Sequence, residues 1–169
     1  MINILALSDL HGLLPKLPNF DLLIIAGDIF PTITHKQDYQ QDWMNKEFLY
    51  WINNLQYNND FSKVVLIGGN HDKYLGKCNP EAIRDELFVK SNKRLVYLCD
   101  SLFNYEYISD DNNLKSIGIY GTPWTPTFGH WYFMKNEDEL KEIYEKIPDN
   151  IDILINHGMP YMTNDIARD

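Results

Sequence analysis

Four apolar runs in this chain each stop at side chains that can bind a metal ion. Residues 2–7 lead into Ser8-Asp9-Leu10-His11, residues 21–26 into Gly27-Asp28, residues 63–67 into Gly69-Asn70-His71-Asp72, and residues 151–155 into Asn156-His157-Gly158. Short, nearly unbroken apolar runs of this kind read as strands covered on both faces, the habit of parallel sheets. The carboxyl ends of such strands are where an open α/β sheet builds its ligand site. One architecture therefore accounts for both the runs and the polar groups that end them.

The segments between the runs fit the same architecture. Residues 37–55 place Trp43, Phe48, Leu49, Trp51, Ile52 and Leu55 along one face of an amphipathic helix. Strand, helix and strand joined by short turns imply parallel pairing through right-handed crossovers. Residues 80–88 predict a helix with Asn79 as its N-cap and Pro80 in the first position. Residues 95–98, 102–108 and 116–120 read as strands, and the polar turn Asp110-Asp111-Asn112-Asn113 suggests antiparallel pairing, hence a mixed or second sheet. A polar helix is expected over 136–146 with Leu140, Ile143 and Tyr144 inward, then a last buried strand before His157.

At 169 residues the chain reads as a single domain, with 44% hydrophobic and 23% charged residues, the balance of a globular protein. A formal charge of −9 argues against nucleic acid as a partner, because phosphate contacts need clustered Lys and Arg. Cys78 and Cys99 form no CxxC pair, which fits a reducing compartment. Residues 1–7 lack a basic leader and reach Asp9 too soon for a signal peptide, and no apolar stretch approaches the ~20 residues of a membrane span. The expectation is a soluble, cytoplasmic protein with no membrane partner.

The chemistry follows from residue types. Asp9 and His11 alternate with Leu10, so in an extended chain both point the same way and can grip one cation. Asp28, behind a glycine that permits close backbone approach, is placed to bridge two cations. Asn70 offers a neutral oxygen and His157 an imidazole to the second. This donor mixture suits two divalent ions such as manganese, iron or zinc. Two cations ~3.5–4 Å apart can hold the attacking and leaving oxygens of a phosphoryl displacement, and they lower the pKa of a bound water to roughly 7. His71, beside Asn70, is assigned to the leaving group, with Asp72 expected to orient its ring. Alone, Asp-x-His, Gly-Asp and His-Gly read as ordinary turns, and Gly-Asn-His-Asp is the more specific motif. All four in order, each ending a strand, make the site. His35 is expected to be exposed, and His130 to be packed or solvent-facing. The aromatic residues between Trp124 and Phe133 read first as packing, with a lid or a stacking wall for a nucleobase as the alternative.

These motifs resemble the calcineurin-like metallophosphoesterases, whose signature runs Asp-x-His, Gly-Asp, Gly-Asn-His-Asp/Glu, His and Gly-His-x-His. Residues 119–126 (Ile-Tyr-Gly-Thr-Pro-Trp-Thr-Pro), the later Trp131, and Asp-Ile-Leu-x-x-His-Gly-x-Pro over residues 152–160 are similar to the branch named for a metallophosphoesterase domain. The resemblance implies a four-layer αββα sandwich with mixed sheets. It puts Asp9, His11 and Asp28 on the first metal, Asp28, Asn70 and His157 on the second, and His71 on the leaving group. It also implies hydrolysis of a phosphomonoester or phosphodiester, and the ligand set with the nearby aromatic residues makes a nucleotide or cyclic nucleotide the candidate substrate. Residues 158–169 contain no histidine, so the last motif is not matched. The expectation is a C-terminally incomplete domain, short of its closing strands. Its open sheet edge would invite pairing with a second copy. A degenerate, non-catalytic interaction module is the alternative.

Overall fold

The computed structural model describes residues 2–158. Strands β1 (Ile4–Leu7), β2 (Leu22–Ala26), β3 (Lys63–Ile67) and β4 (Leu95–Tyr97) form one sheet in sequence order, every pair parallel. Side chains alternate across a strand, and here both faces of β2 and β3 meet protein. Leu23, Ile25, Val64 and Leu66 face a helical layer, while Leu22, Ile24, Val65 and Ile67 face the second sheet. That is why these two runs are apolar without a break.

β1 differs from the expectation of a strand covered on both faces. It lies at the sheet edge and its residues alternate between exposed and half-buried, with Ile4 41% exposed. An apolar run does not reveal whether a second layer covers it.

The helical layer begins with α1 (Gln37–Trp43), a π-helical turn over Met44–Phe48, and α2 (Leu49–Asn53), which together fill most of the helix expected over 37–55. The wider π turn brings Trp43 and Phe48, five positions apart, onto one face, with ring centroids 5.8 Å apart. The short α3 (Lys73–Lys77), which was not foreseen, and α4 (Pro80–Lys90) complete the layer. The Asn79 side chain caps α4 by accepting from the Ala82 N–H at 3.0 Å, as its sequence predicts.

The second sheet holds β5 (Ser101–Ile108), β6 (Leu114–Thr122) and β9 (Ile153–Asn156) in the order β5-β6-β9. β5 and β6 form the expected antiparallel hairpin, and β9 joins β6 in parallel, so this sheet is mixed. A small parallel pair, β7 (Thr125–Pro126) with β8 (Met134–Lys135), brackets the aromatic loop between them, and α5 (Glu137–Tyr144) follows behind an Asn136–Glu139 capping box. The sheets meet through Tyr105, Ile119 and Ile155 packed on the first sheet, and the Tyr105 hydroxyl donates to the Asp21 carbonyl at 3.1 Å. This is the mixed α/β arrangement of facing sheets and helices that the sequence implies. The expectation about closing strands falls on residues outside those described. Among the described residues no helix is long and apolar enough to cross a membrane, and both cysteines are free.

Candidate metal centre

β1, β2 and β3 run parallel and end at one edge, so the loops that follow them share a rim. Backbone hydrogen bonds bind the first two loops together: Asp9 N–H donates to the Gly27 carbonyl (3.1 Å), His11 N–H to Asp28 (2.9 Å) and Gly12 N–H to Ile29 (2.8 Å). Asp9 and His11 are not extended, as their alternation suggested. Asp9, His11 and Asp28 all lie in the left-handed region, with φ of 53°, 43° and 54°. Such a residue costs on the order of 1 kcal/mol or more, and persists where the surroundings impose it. Three of the eight non-glycine residues with positive φ among the described residues are thus candidate ligands. The two glycines of the rim are demanded by close approach. A Cβ on Gly27 (φ 92°) would sit 2.8 Å from His157 Nδ1, and one on Gly69 would collide with the Asp28 carboxylate.

Asp28 is the hub, and it is buried. Its Oδ1 accepts from the His71 N–H at 2.8 Å and lies 3.5 Å from His157 Nε2. Its Oδ2 lies 3.9 Å from His11 Nε2 and 4.0 Å from His71 Nε2. On the outer flank Asp9 Oδ1 is 3.9 Å from His11 Nε2, and one ligand atom from each of Asp9, His11 and Asp28 falls within 4.8 Å of the others. On the inner flank His157 Nε2 is 3.1 Å from Asn70 Oδ1. His157 Nδ1 donates to the Ala26 carbonyl at 2.8 Å, which turns Nε2 toward Asp28 and Asn70. The five residues expected to bind metal thus converge, divided into two groups by one carboxylate.

The electrostatics match that geometry. Burial pushes the Asp28 carboxyl up, but the hydrogen bond and charge of His157, with the amide and ring of His71, outweigh it and leave the group below the usual carboxylate value. Burial alone would depress His157, yet its bond to Asp28 and the Asp28 charge raise it to about 9. Burial lowers His71, and the Asp28 charge recovers only part of that. A divalent cation fits the donor set. His157 Nε2 faces two oxygens, so either a proton or a metal must sit among them. Asp9, His11 and Asp28 could hold a metal on the other flank.

Asp72 corrects an expectation. It is fully buried and does not orient the His71 ring. Its Oδ2 accepts from the N–H groups of Gly69 (2.8 Å) and Asp28 (2.9 Å), and its Oδ1 from those of Ile29 (3.0 Å) and Phe30 (3.3 Å). It clamps the β2 turn to the β3 turn. Burial and the charge of Asp28 push its pKa up to about 7 against the pull of the Gly69 and Phe30 amides. The buried Gln40 works alongside it, donating to the His71 carbonyl (2.9 Å) and accepting from the Tyr74 N–H (2.8 Å), which fixes α1 to the β3 turn.

His35 corrects another. It is half-buried rather than exposed, with its ring centroid 5.3 Å from His71 and 5.2 Å from Trp131. Trp131 itself lies 4.4 Å from His71, so part of the aromatic segment borders the site, while His130 is exposed, one of the two outcomes expected for it. No motif surrounds His35. Its only signal was its place in the loop leaving the Gly27-Asp28 turn.

Facing sheets whose shared rim is lined by carboxylate, imidazole and amide groups define an α/β fold with a candidate metal centre. The chain belongs to the calcineurin-like phosphoesterase family, a family of metal-dependent hydrolases, which it matches over residues 2–169. It is 30% identical over 173 residues to UPF0046 protein T07D4.2 of Caenorhabditis elegans, covering 90% of this chain and 40% of that one. It is 29% identical over 154 residues to metallophosphoesterase domain-containing protein 1 of Homo sapiens, covering 86% and 44%. A stretch of the Emericella nidulans protein named "Probable rhamnogalacturonate lyase C" is 27% identical over 168 residues, 99% of this chain and 15% of that one. The chain therefore spans less than half the length of each of these relatives.

Proposed function

We propose that this chain is a phosphoesterase using two divalent cations to hydrolyse a small phosphomonoester or phosphodiester, with a nucleotide or cyclic nucleotide as the candidate substrate and manganese, iron or zinc as the metal. Asp9, His11 and Asp28 hold one cation, and Asp28, Asn70 and His157 the other. The observation that carries this reading is the buried Asp28, whose two oxygens face separate ligand groups. Cations held there would supply charge for the phosphoryl oxygens and would lower the pKa of a bound water to roughly 7.

The chain's own groups do the rest. Asp28 keeps its negative charge at neutral pH because its pKa is held low. His157 must give up its Nε2 proton when a cation binds, since that nitrogen is the one turned to the centre. His71 Nε2 faces the same space, 4.0 Å from Asp28 Oδ2. The attacking water would give one proton to solvent as its oxygen bonds to phosphorus. The ester P–O bond would break with its electron pair on the leaving oxygen, and that oxygen would accept a hydrogen bond from the N–H of the neutral His71 ring.

Hydrolysis of bis-p-nitrophenyl phosphate with added manganese should fall at least about a hundredfold in Asp28→Ala, with metal content dropping in parallel. Equal rates in the two proteins would end the enzymatic reading. Metal-free protein with no hydrolysis at all would favour a non-catalytic interaction module.

A further inference from the structure

An imidazole that acts on a leaving group needs a fixed direction, and hydrogen bonding usually supplies it. His71 lacks that support. Its Nδ1 is buried and finds no hydrogen-bond partner among the described residues, and Asp72 spends both oxygens on backbone amides. Three rings enclose it instead. Trp131 lies across it at 4.4 Å with planes inclined 41°, His35 lies at 5.3 Å and 39°, and the edge of His11 meets it at 5.1 Å and 88°. His35 and Trp131 also touch each other at 5.2 Å, which closes a triangle around the imidazole.

The loop that carries Trp131 is anchored to the metal rim. Tyr132 N–H donates to the Asn70 carbonyl at 3.0 Å, so the residue after Trp131 hangs from a proposed ligand. Phe133, buried, occupies the space a side chain would need at Gly68, and Tyr132 packs where a Cβ on Gly76 would come within 3.1 Å of its own Cβ. Thr125 N–H closes the loop onto the Phe133 carbonyl at 2.8 Å.

We infer that Trp131 and His35 are positioning residues, holding the His71 ring by packing in the direction a carboxylate would otherwise set. The inference rests on the role given to His71 above and assigns its control to a loop outside every metal motif. It separates this arrangement from a stacking wall for substrate. A wall acts on binding and on flat leaving groups, whereas a positioner acts through the direction of the hydrogen bond that His71 gives the leaving oxygen.

The test compares methyl aryl phosphodiesters whose leaving phenols run from p-nitrophenol to phenol, on the manganese-loaded protein. p-Nitrophenolate leaves with little help, and the more basic phenolate gains more from a donated hydrogen bond. Trp131→Ala and His35→Ala should lower kcat on the phenyl ester by about tenfold or more while changing the nitrophenyl ester less than about threefold, with KM nearly constant. Trp131→Phe, which keeps a ring in place, should restore most of the loss. Uniform loss across the series, or a rise in KM alone, would overturn the inference. NMR relaxation of the His71 ring gives a readout free of turnover. The ring should be rigid in the wild type and mobile in Trp131→Ala at unchanged metal content, and equal mobility in both would overturn the inference. If the wild type hydrolyses nothing, the phosphoesterase reading falls, and the ring measurement still decides whether Trp131 holds His71.

Discussion

The two sheets of this protein are built to different standards. In the first, Leu22, Leu23, Ile25 and the run from Val64 to Ile67 are wholly buried, so the inner strands have protein on both faces. In the second, Leu102 and Leu154 lie about half exposed and inner residues alternate with outer ones. The first sheet supplies Asp9, His11, Asp28, Asn70, His71 and Asp72 to the rim. Among the described residues the second supplies His157. Buried carboxylates packed this closely survive only where hydrogen bonds and packing hold them. The candidate site is therefore centred on Asp28 and Asn70 at the ends of the two covered strands, β2 and β3, while Asp9 and His11 follow the more exposed edge strand β1.

The largest expected consequence falls on Asp72. Asp72→Ala would strand four amide donors inside the protein, each worth about 1–3 kcal/mol when left unpaired, less what water recovers. We expect about 4 kcal/mol lost in urea denaturation together with weaker metal binding, and a smaller loss in Asp72→Asn, which keeps an acceptor. If Asp72→Ala costs under about 1 kcal/mol, the first rim is not the rigid part, and the contrast between the sheets fails.

How much of this was legible follows the same division. β3 was read to the residue and β2 to within one, because a run buried on both faces is continuous in the sequence. The cap of α4 was legible because Asn-Pro is a local signal. That Asp9, His11, Asp28, Asn70 and His157 would meet was legible because each follows closely on a strand end. Asp72 was misread because adjacency suggested a partnership with His71, whereas its actual partners at positions 28–30 lie more than 40 positions away in the chain. β1 was misjudged because layer coverage is a tertiary fact. His35 sits in a polar loop, and only folding brings it to Trp131. Sequence patterns report local periodicity and strand ends, and say little about loops that meet through a third element.

The second sheet's one contribution gives a pH prediction for the metal-free protein. His157 carries a pKa raised from 6.5 to about 9 by Asp28, so the protonated form is favoured in the folded state. The stabilisation is full below pH 6.5 and is lost as pH rises through 9. By linkage this amounts to at most about 3 kcal/mol. At the acid end the same pair weakens as Asp28, whose pKa is lowered, takes up a proton. Urea midpoints measured between pH 6 and 9.5 should fall with pH in the wild type and stay flatter in His157→Gln. Added manganese should reverse the trend, because it competes with the proton for Nε2. A flat wild-type profile would mean that β9 is only loosely docked on the first rim.

The smallest effect is the sharpest test of the second sheet. Leu154 points away from the inter-sheet core and pairs in register with Tyr120, which in turn pairs with Leu102, so these three form a row across one face. If water covers the Leu154 end of that row, Leu154→Ser should change stability by less than about 0.5 kcal/mol. A loss above about 1 kcal/mol would show that something covers it, either chain beyond residue 158 or a second molecule. Sedimentation separates the two, since a second molecule makes the loss depend on protein concentration and an intramolecular cover does not. A covered face would make the second sheet resemble the first more closely, and His157 would then be held as firmly as Asp28.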